Sequence, residues 1–301
     1  MRHPPTFAVV VPLFEEEDRF GEFGPLLADW AAEGRDRAVV FVDDGSTDDT
    51  AVHVEKLIVE HPDSRLSLLR RPHRGKGAAV AAGLLTIESP WAGFCDVDLS
   101  TPLPHLERIF DTARRAGGLA VGSRDLAGSR LVRPEGRVRE FLGRAYNRLL
   151  QALLTPGISD TQCGAKVASR QVWDRLLDRT REEGLAWDAE LIALARVLGV
   201  AVHEVPVDWT HDDRTRIRVG RDGVAMVAAT ARIWRNVRAV ARTAPAPLAG
   251  EIFDDLNAER LMEADAEHWW FRSKAAFVAS TLRRSAPSHR DGWLVDVGAG
   301  A

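Results

Sequence analysis

Asp96-Val97-Asp98-Leu99-Ser100 sets two carboxylates one residue apart at the end of the apolar run Trp91–Val97. Alternate residues of an extended chain point to the same side, so both acids can converge on one locus. Hard divalent cations such as Mg²⁺ or Mn²⁺ take one or two carboxylates plus phosphate oxygens. Two acids leaving a buried strand therefore suit a metal–diphosphate site, a solvated loop being the plain alternative. Asp43-Asp44-Gly45-Ser46-Thr47-Asp48 closes another apolar run. Its carboxylates could accept hydrogen bonds from a nucleobase imide or a ribose hydroxyl, while Ser46 or Asp48 could equally cap a helix starting near Thr50. Arg74-Gly75-Lys76-Gly77 precedes a helix of small residues. Glycines there allow close backbone approach and the helix start offers amides to an anion, although a basic turn fits the same residues.

The elements that must position these groups alternate along the chain. Strand-like runs at Phe7–Val11, Ala38–Val42, Leu66–Leu69, Trp91–Val97 and Leu119–Val121 are separated by helical stretches such as Thr50–His61 and Gly77–Thr86. This alternation predicts a layered α/β domain, and continuous apolarity predicts strands covered on both faces. Ligands of such sheets sit beyond the carboxyl ends of the strands, where Pro12, Asp43-Asp44 and Asp96–Asp98 fall. No Gly-x-Gly-x-x-Gly follows the first strand, the full Gly-x4-Gly-Lys-Ser/Thr spacing is absent, and neither a Gly-x-Ser-x-Gly elbow nor zinc-type His/Cys spacing occurs. These absences argue against a dinucleotide oxidoreductase, an ATPase loop, a serine hydrolase and a zinc site.

In order and spacing, residues 6–219 resemble family 2 glycosyltransferases of the GT-A fold, nearest the dolichyl-phosphate glucosyltransferase and dolichol-phosphate mannosyltransferase branch. The matching runs are Val11-Pro12-x-x-Glu15-Glu16, Val42–Asp48, Arg74–Ala79, Asp96–Pro102, Gly122-Ser123-Arg124, Asp160-Thr161-Gln162-Cys163-Gly164-x-Lys166, Trp187-Asp188-x-Glu190 and Glu204-Val205-Pro206-Val207-x-Trp209. The resemblance implies a Rossmann-like, mostly parallel sheet with helices on both faces, and an inverting, metal-dependent transfer from a nucleotide sugar. It places Pro12, Phe14, Glu16, Asp43 and Asp44 at the nucleotide, and Asp96, Val97 and Asp98 at the metal–diphosphate and ribose. Lys76 and Arg124 would lie near the donor or acceptor phosphate, and Gln162, Asp188 and Glu190 beside the sugar and acceptor. Arg214, Arg216 and Arg218 would occupy a basic loop over the diphosphate. A phosphate acceptor is already a charged nucleophile, whereas a hydroxyl acceptor would need a carboxylate base, for which Asp188 is the candidate with Asp160 behind it. The sequence departs from the family at Leu13-Phe14-Glu15, where Tyr-Asn is usual, at Ala165 in place of an aromatic, and at Trp187 in place of Phe. These changes bear on sugar and base preference more than on reaction type. The acceptors expected are a polyprenyl phosphate or, alternatively, a soluble metabolite or glycan.

The 301 residues carry 40 Lys+Arg against 44 Asp+Glu, a net charge of −4, with 45% hydrophobic residues, as in a soluble globular protein. The average hides local charge. Arg130–Arg148 holds six arginines against Glu135 and Glu140, and His211–Arg242 eight against three aspartates. In the second stretch Val224, Val227, Ala231, Trp234 and Val237 recur at helical spacing, with Arg232, Arg235 and Arg238 on other faces. This fits a helix lying on an anionic membrane or an ordinary packed helix. No nucleic-acid partner is expected. Two cysteines, no apolar run of the ~18 residues a span requires, and no signal-peptide core predict a cytoplasmic protein, peripheral on a membrane at most. A domain over 1–242 and a Pro-rich linker over 243–250 are expected. Residues 251–301 then form a short, mainly helical appendage. Within it, Glu267–Arg272 and Leu294–Gly300 resemble the opening of a class I methyltransferase, where S-adenosylmethionine would bind in an untruncated parent.

Overall fold

Glycine and proline stops cut the first half of the chain into short β-branched strands and longer helices, and the computed structural model follows those cuts. It describes residues 5–34, 36–133, 137–210, 212, 214 and 219–243. The order is β1 (Phe7–Leu13), α1 (Glu17–Glu33), β2 (Arg37–Asp43), α2 (Thr50–Glu60), β3 (Leu66–Arg70), α3 (Lys76–Thr86), β4 (Trp91–Phe94), α4 (Leu103–Ala116) and β5 (Leu119–Ser123). There follow β6 (Arg130–Arg133), α5 (Arg137–Leu153), β7 (Lys166–Ser169), α6 (Arg170–Leu177), α7 (Trp187–Val197), β8 (Val202–Pro206), β9 (Asp208–Thr210) and α8 (Val219–Thr243). These elements belong to one compact unit, Met1–Ala244. The expected linker from residue 244 onward and the methyltransferase-like segment lie outside the described residues.

The main sheet runs β3-β2-β1-β4-β7-β5-β8. All its pairings are parallel except those of β7, which runs antiparallel to both β4 and β5. Chain order reverses beside β1, with β2 on one side and β4 on the other, and this makes a switch-point crevice at their carboxyl ends. Because β7 runs backwards, it begins at that same edge: Lys166 pairs with Phe94 of β4 and Val121 of β5. Apolar residues of both sheet faces are buried, as continuous apolarity predicts. Phe20, Leu27, Val54, Leu106 and Ile109 cover one face. Val80, Leu84, Trp173, Trp187 and Leu191 cover the other.

Two expectations change. The strand predicted over Trp91–Val97 stops at Phe94, so Asp96 and Asp98 stand on a turn rather than an extended chain. Leu99 N–H bonds the Asp96 carbonyl at 3.1 Å, and Leu99 adopts φ 45°, a strained value for a γ-branched residue. On α8 the buried face is Ala229, Thr230, Ile233 and Val240, with Val237 half-buried, while Val227 and Trp234 are 53% and 38% exposed. The helix carries apolar residues on two faces, and the narrower one, with its small Ala229, fits against α5 and α7. The Val224 side chain lies outside what is described.

Candidate active site

The first wall of the crevice is a pair of loops laced by side chains. Glu15 adopts φ 56°, turning the chain after β1 so that its N–H reaches Ser46 Oγ at 2.9 Å. Glu15 Oε1 accepts from Thr47 N at 2.9 Å and Thr47 Oγ1 at 2.8 Å, and Glu16 N donates to Thr50 Oγ1 at 2.7 Å. Leu13 pairs with Asp43 in the sheet register, so Pro12, Phe14 and Asp43 share this edge. The buried Asp43 carboxylate accepts from Ser46 N at 3.0 Å. The half-exposed Phe14 ring stacks on His73, centroids 4.0 Å apart, giving a flat aromatic surface beside that carboxylate.

Asp44 and the glycine turn differ from the expectation. The Asp44 carboxylate is buried and accepts from Arg74 N at 3.2 Å and Gly75 N at 2.7 Å, with His73 Nδ1 at 2.9 Å. Ala78 N donates to the Glu183 carbonyl at 3.0 Å. These amides are thus committed within the protein, and Asp44 is a positioning residue for the turn. Gly77 serves packing: a Cβ there would lie 2.5 Å from Trp187. That contact draws the start of α3 against α7 and aims Lys76 at the acids.

Lys76 Nζ lies 2.7 Å from Asp96 Oδ1 and 3.8 Å from Asp188 Oδ2. Burial alone would lower the Lys76 pKa, but Asp96, Asp188 and Asp98 outweigh it and hold the ammonium charged. Asp188 Oδ1 in turn accepts from the fully buried Lys166 Nζ at 2.6 Å, and that ammonium also donates to the Cys163 carbonyl at 2.7 Å. Asp188 therefore stands between two lysines. Asp98 is held by Ser100 N at 3.0 Å and faces Arg19 Nη1 at 3.5 Å. Burial, and then the neighbouring Asp96, raise the Asp98 pKa despite these partners. The Val97 side chain packs in the core, which leaves its backbone as the part of the residue able to face a ligand. Gly164 makes room for the motif, since a Cβ there would sit 1.9 Å from Asp96 Oδ2. Gly164→Ala is expected to displace Asp96 and lower turnover by about 10²-fold, the scale of a ~1 Å misplacement, with a Tm drop of only a few degrees.

Arg124, at the carboxyl end of β5, forms a fork on the buried Asp160, Nε–Oδ2 2.6 Å and Nη2–Oδ1 2.9 Å, and lies 5.3 Å from the Trp209 ring centroid. Burial would raise the Asp160 pKa, but Arg124 and two backbone amides lower it. Gln162 N bonds Asp160 Oδ1 at 3.0 Å, which places Gln162 next to this pair. Three further candidates are engaged by protein partners. Glu190 accepts from Arg181 N, Glu182 N and Asn236 Nδ2 at 2.9, 2.7 and 2.7 Å, tying the loop before α7 to α8. The Glu16 carboxylate accepts both Arg19 Nε and Nη2, at 2.6 and 2.5 Å. Arg214 pairs with Asp212 and with Glu22 of α1, each at 2.8 Å. Arg216 and Arg218 lie outside the described residues. Sequence reasoning missed Arg19, whose helical position carries no motif, and gave Lys166 no role although it closes the Asp160–Lys166 run.

Residues 8–177 match the family described as Glycosyl transferase family 2. The chain belongs to the family 2 glycosyltransferases. A dolichyl-phosphate beta-glucosyltransferase of Dictyostelium discoideum is 30% identical over 242 residues, covering 75% of this chain and 73% of that protein. One of Mus musculus is 28% identical over 229 residues, 70% and 69% of the two chains. Among solved structures, glucosyl-3-phosphoglycerate synthase from Mycobacterium tuberculosis with Mn²⁺, uridine-diphosphate and phosphoglyceric acid aligns with TM-score 0.57 and 20% identity. That alignment covers 76% of this chain and 78% of the synthase, and it establishes the GT-A-like fold alone. This glycosyltransferase thus has the fold and the enzyme class that its ordered motifs imply.

Proposed function

We propose that this glycosyltransferase moves a sugar from a nucleoside-diphosphate sugar to a polyprenyl phosphate, in one inverting displacement assisted by a divalent cation. The observation that carries the reading is the pairing of Asp188 with two lysines at the edge where Asp96, Asp98 and Lys76 meet. The family relatives named dolichyl-phosphate beta-glucosyltransferases support the acceptor class. The residues fit a hard cation: Asp96 and Asp98 are adjacent carboxylates, and the charge of Asp98 is disfavoured by burial and by Asp96, a cost that a cation relieves. When bound, such a cation neutralises charge on the departing diphosphate.

The chain's own residues do the rest. Phe14 and His73 offer a stacking surface, and Asp43 an acceptor, for a nucleobase. Lys76 brings a fixed positive charge beside Asp96, where the leaving diphosphate gathers its charge. A phosphate monoester with second pKa near ~6 is largely dianionic at neutral pH. Its oxygen attacks the anomeric carbon as the bond to the diphosphate oxygen breaks, and no proton has to be removed.

A hydroxyl acceptor would instead need Asp188 as base, and one oxygen of that carboxylate is already engaged by Lys166 Nζ at 2.6 Å. Asp188→Asn separates the two. Transfer to a short prenyl phosphate is expected to fall by less than about tenfold, with an unchanged pH profile above neutrality. A loss of about 10²–10⁴-fold with the acid limb of the profile removed, the signature of a lost general base, would reject a phosphate acceptor.

A further inference from the structure

We propose that Arg19 is a positioning residue for the transfer site: its guanidinium sets the Asp98 carboxylate for a divalent cation and couples it to Asp212, in the segment that follows β9. Arg19 lies on α1, outside the motifs of the crevice, yet its side chain is buried. Its planar fork is divided. Nε and Nη2 are engaged by Glu16 at 2.6 and 2.5 Å, which fixes the plane of the guanidinium. Nη1 is left to face Asp98 Oδ2 at 3.5 Å and Asp212 Oδ2 at 4.0 Å. The contact with Asp98 is an ion contact longer than an ordinary hydrogen bond. It orients the carboxylate, as Ser100 N does from Oδ1 at 3.0 Å, without capping the oxygen that a cation would take.

A second set of contacts brings the segment after β9 to the same guanidinium. Thr210 N donates to the Ser100 carbonyl at 3.0 Å, so the end of β9 is tied directly to the turn that carries Asp98. Two residues on, Asp212 accepts from Arg214 Nε and Nη2 at 3.0 and 2.8 Å, and Arg214 Nη2 reaches Glu22 at 2.8 Å. Arg19 and Glu22 are three residues apart on α1 and share a face of the helix. Charges alternate around this group, Arg19–Asp212–Arg214–Glu22, and Arg19 is the member that also faces Asp98. Lysine cannot replace it. An ammonium is a point charge, without the fork that holds two nitrogens on Glu16 while the third faces Asp98 and Asp212. Moreover, a positive charge 3.5 Å from Asp98 opposes a cation there, so any benefit from Arg19 comes from placement and not from charge.

This inference rests on Asp98 taking a cation, as proposed above, and the test keeps the two apart. Mn²⁺ is the probe, added to the full chain without donor or acceptor. Free Mn²⁺ is counted by electron paramagnetic resonance, and Tm is measured on the metal-free proteins. Wild type, Arg19→Lys, Asp212→Asn and the double variant form a cycle. Arg19→Lys keeps the charge and is expected to weaken Mn²⁺ binding by about 10- to 100-fold, the effect of losing a group that orients a metal ligand. Asp212→Asn is expected to weaken it by about two- to fivefold, the scale of one partly exposed ion pair. The double variant should bind no more weakly than Arg19→Lys, because Asp212 acts through Arg19. If Arg19→Lys lowers the metal-free Tm by more than about 10 °C, Arg19→Gln/Glu16→Gln, which removes the buried pair together, takes its place in the cycle with the same expected outcome. Unchanged Mn²⁺ binding on replacing Arg19, or effects that simply add in the double variant, overturns the inference. A wild type that binds no Mn²⁺ overturns it together with the cation reading. Coupled effects on Mn²⁺ without transfer to a short prenyl phosphate would support the role of Arg19 and reject the acceptor.

Discussion

Asp98→Asn is expected to lower kcat/KM by at least about 10³-fold while raising the Tm of the metal-free protein. The two effects have one origin. Asp98 carries a charge that burial and the adjacent Asp96 make unfavourable, with Arg19 3.5 Å away and Ser100 N only partly compensating. A cation would turn that repulsion into binding, so its loss removes charge stabilisation at the diphosphate, worth about 10²–10³ for one preorganised group and more where cation affinity falls as well. Without a cation the same charge destabilises the fold. The sign is explicit: a carboxyl whose folded pKa is raised binds more protons folded than unfolded between the two pKa values, so stability falls as pH rises through that window. The difference in Tm between Asp98→Asn and wild type should therefore grow from acid to neutral pH, and saturating Mn²⁺ should raise the Tm of wild type only. Equal Mn²⁺ shifts in the two proteins would exclude Asp98 as a cation ligand.

Lys166→Met is expected to cost about 3–5 kcal/mol, the usual penalty for stranding one member of a buried ion pair, and about 10 °C in Tm for a domain of this size. Lys166 is fully buried, 2.6 Å from Asp188 and 2.7 Å from the Cys163 carbonyl, with the Phe94 ring centroid at 5.5 Å. Methionine fills the volume but leaves the Asp188 carboxylate with Lys76 at 3.8 Å as its nearest cation, and two carbonyls lose a donor. Lys166→Met/Asp188→Asn should recover part of the loss, because the second change removes the stranded charge. Thermal unfolding of the four proteins supplies the cycle. A Tm for Lys166→Met within about 2 °C of wild type would mean the pair is not buried as described.

The sequence made the site legible where chemistry and strand ends coincide. Asp43, Asp96 and Lys76 follow apolar runs whose ends face one crevice in any parallel sheet of this kind, so spacing alone places them. It did not reveal which acids are taken up by backbone amides and which are not. Asp44 and Glu190 carry the same charge as Asp43 and Asp188, yet each accepts from two backbone amides, where Asp43 accepts from one and Asp188 from the Lys166 ammonium. That division depends on loops meeting across 30 residues in one case and on the loop before α7 folding back onto that helix in the other, and neither leaves a local pattern. β7 was missed because four residues, Lys-Val-Ala-Ser, begin with a charge that becomes acceptable only once Asp188 arrives from α7. The outer row of α8 was visible as an apolar stripe, but only packing could tell which of its two apolar faces meets the core.

The most direct test of the central claim is mass and ³¹P NMR analysis of the products from a nucleoside-diphosphate sugar, a short prenyl phosphate and Mn²⁺ or Mg²⁺. One new sugar–phosphate diester of inverted anomeric configuration is expected, formed in step with free nucleoside diphosphate and absent with Asp98→Asn. A donor that binds and is consumed with the prenyl phosphate left unchanged, or transfer to prenyl alcohol instead, would contradict it.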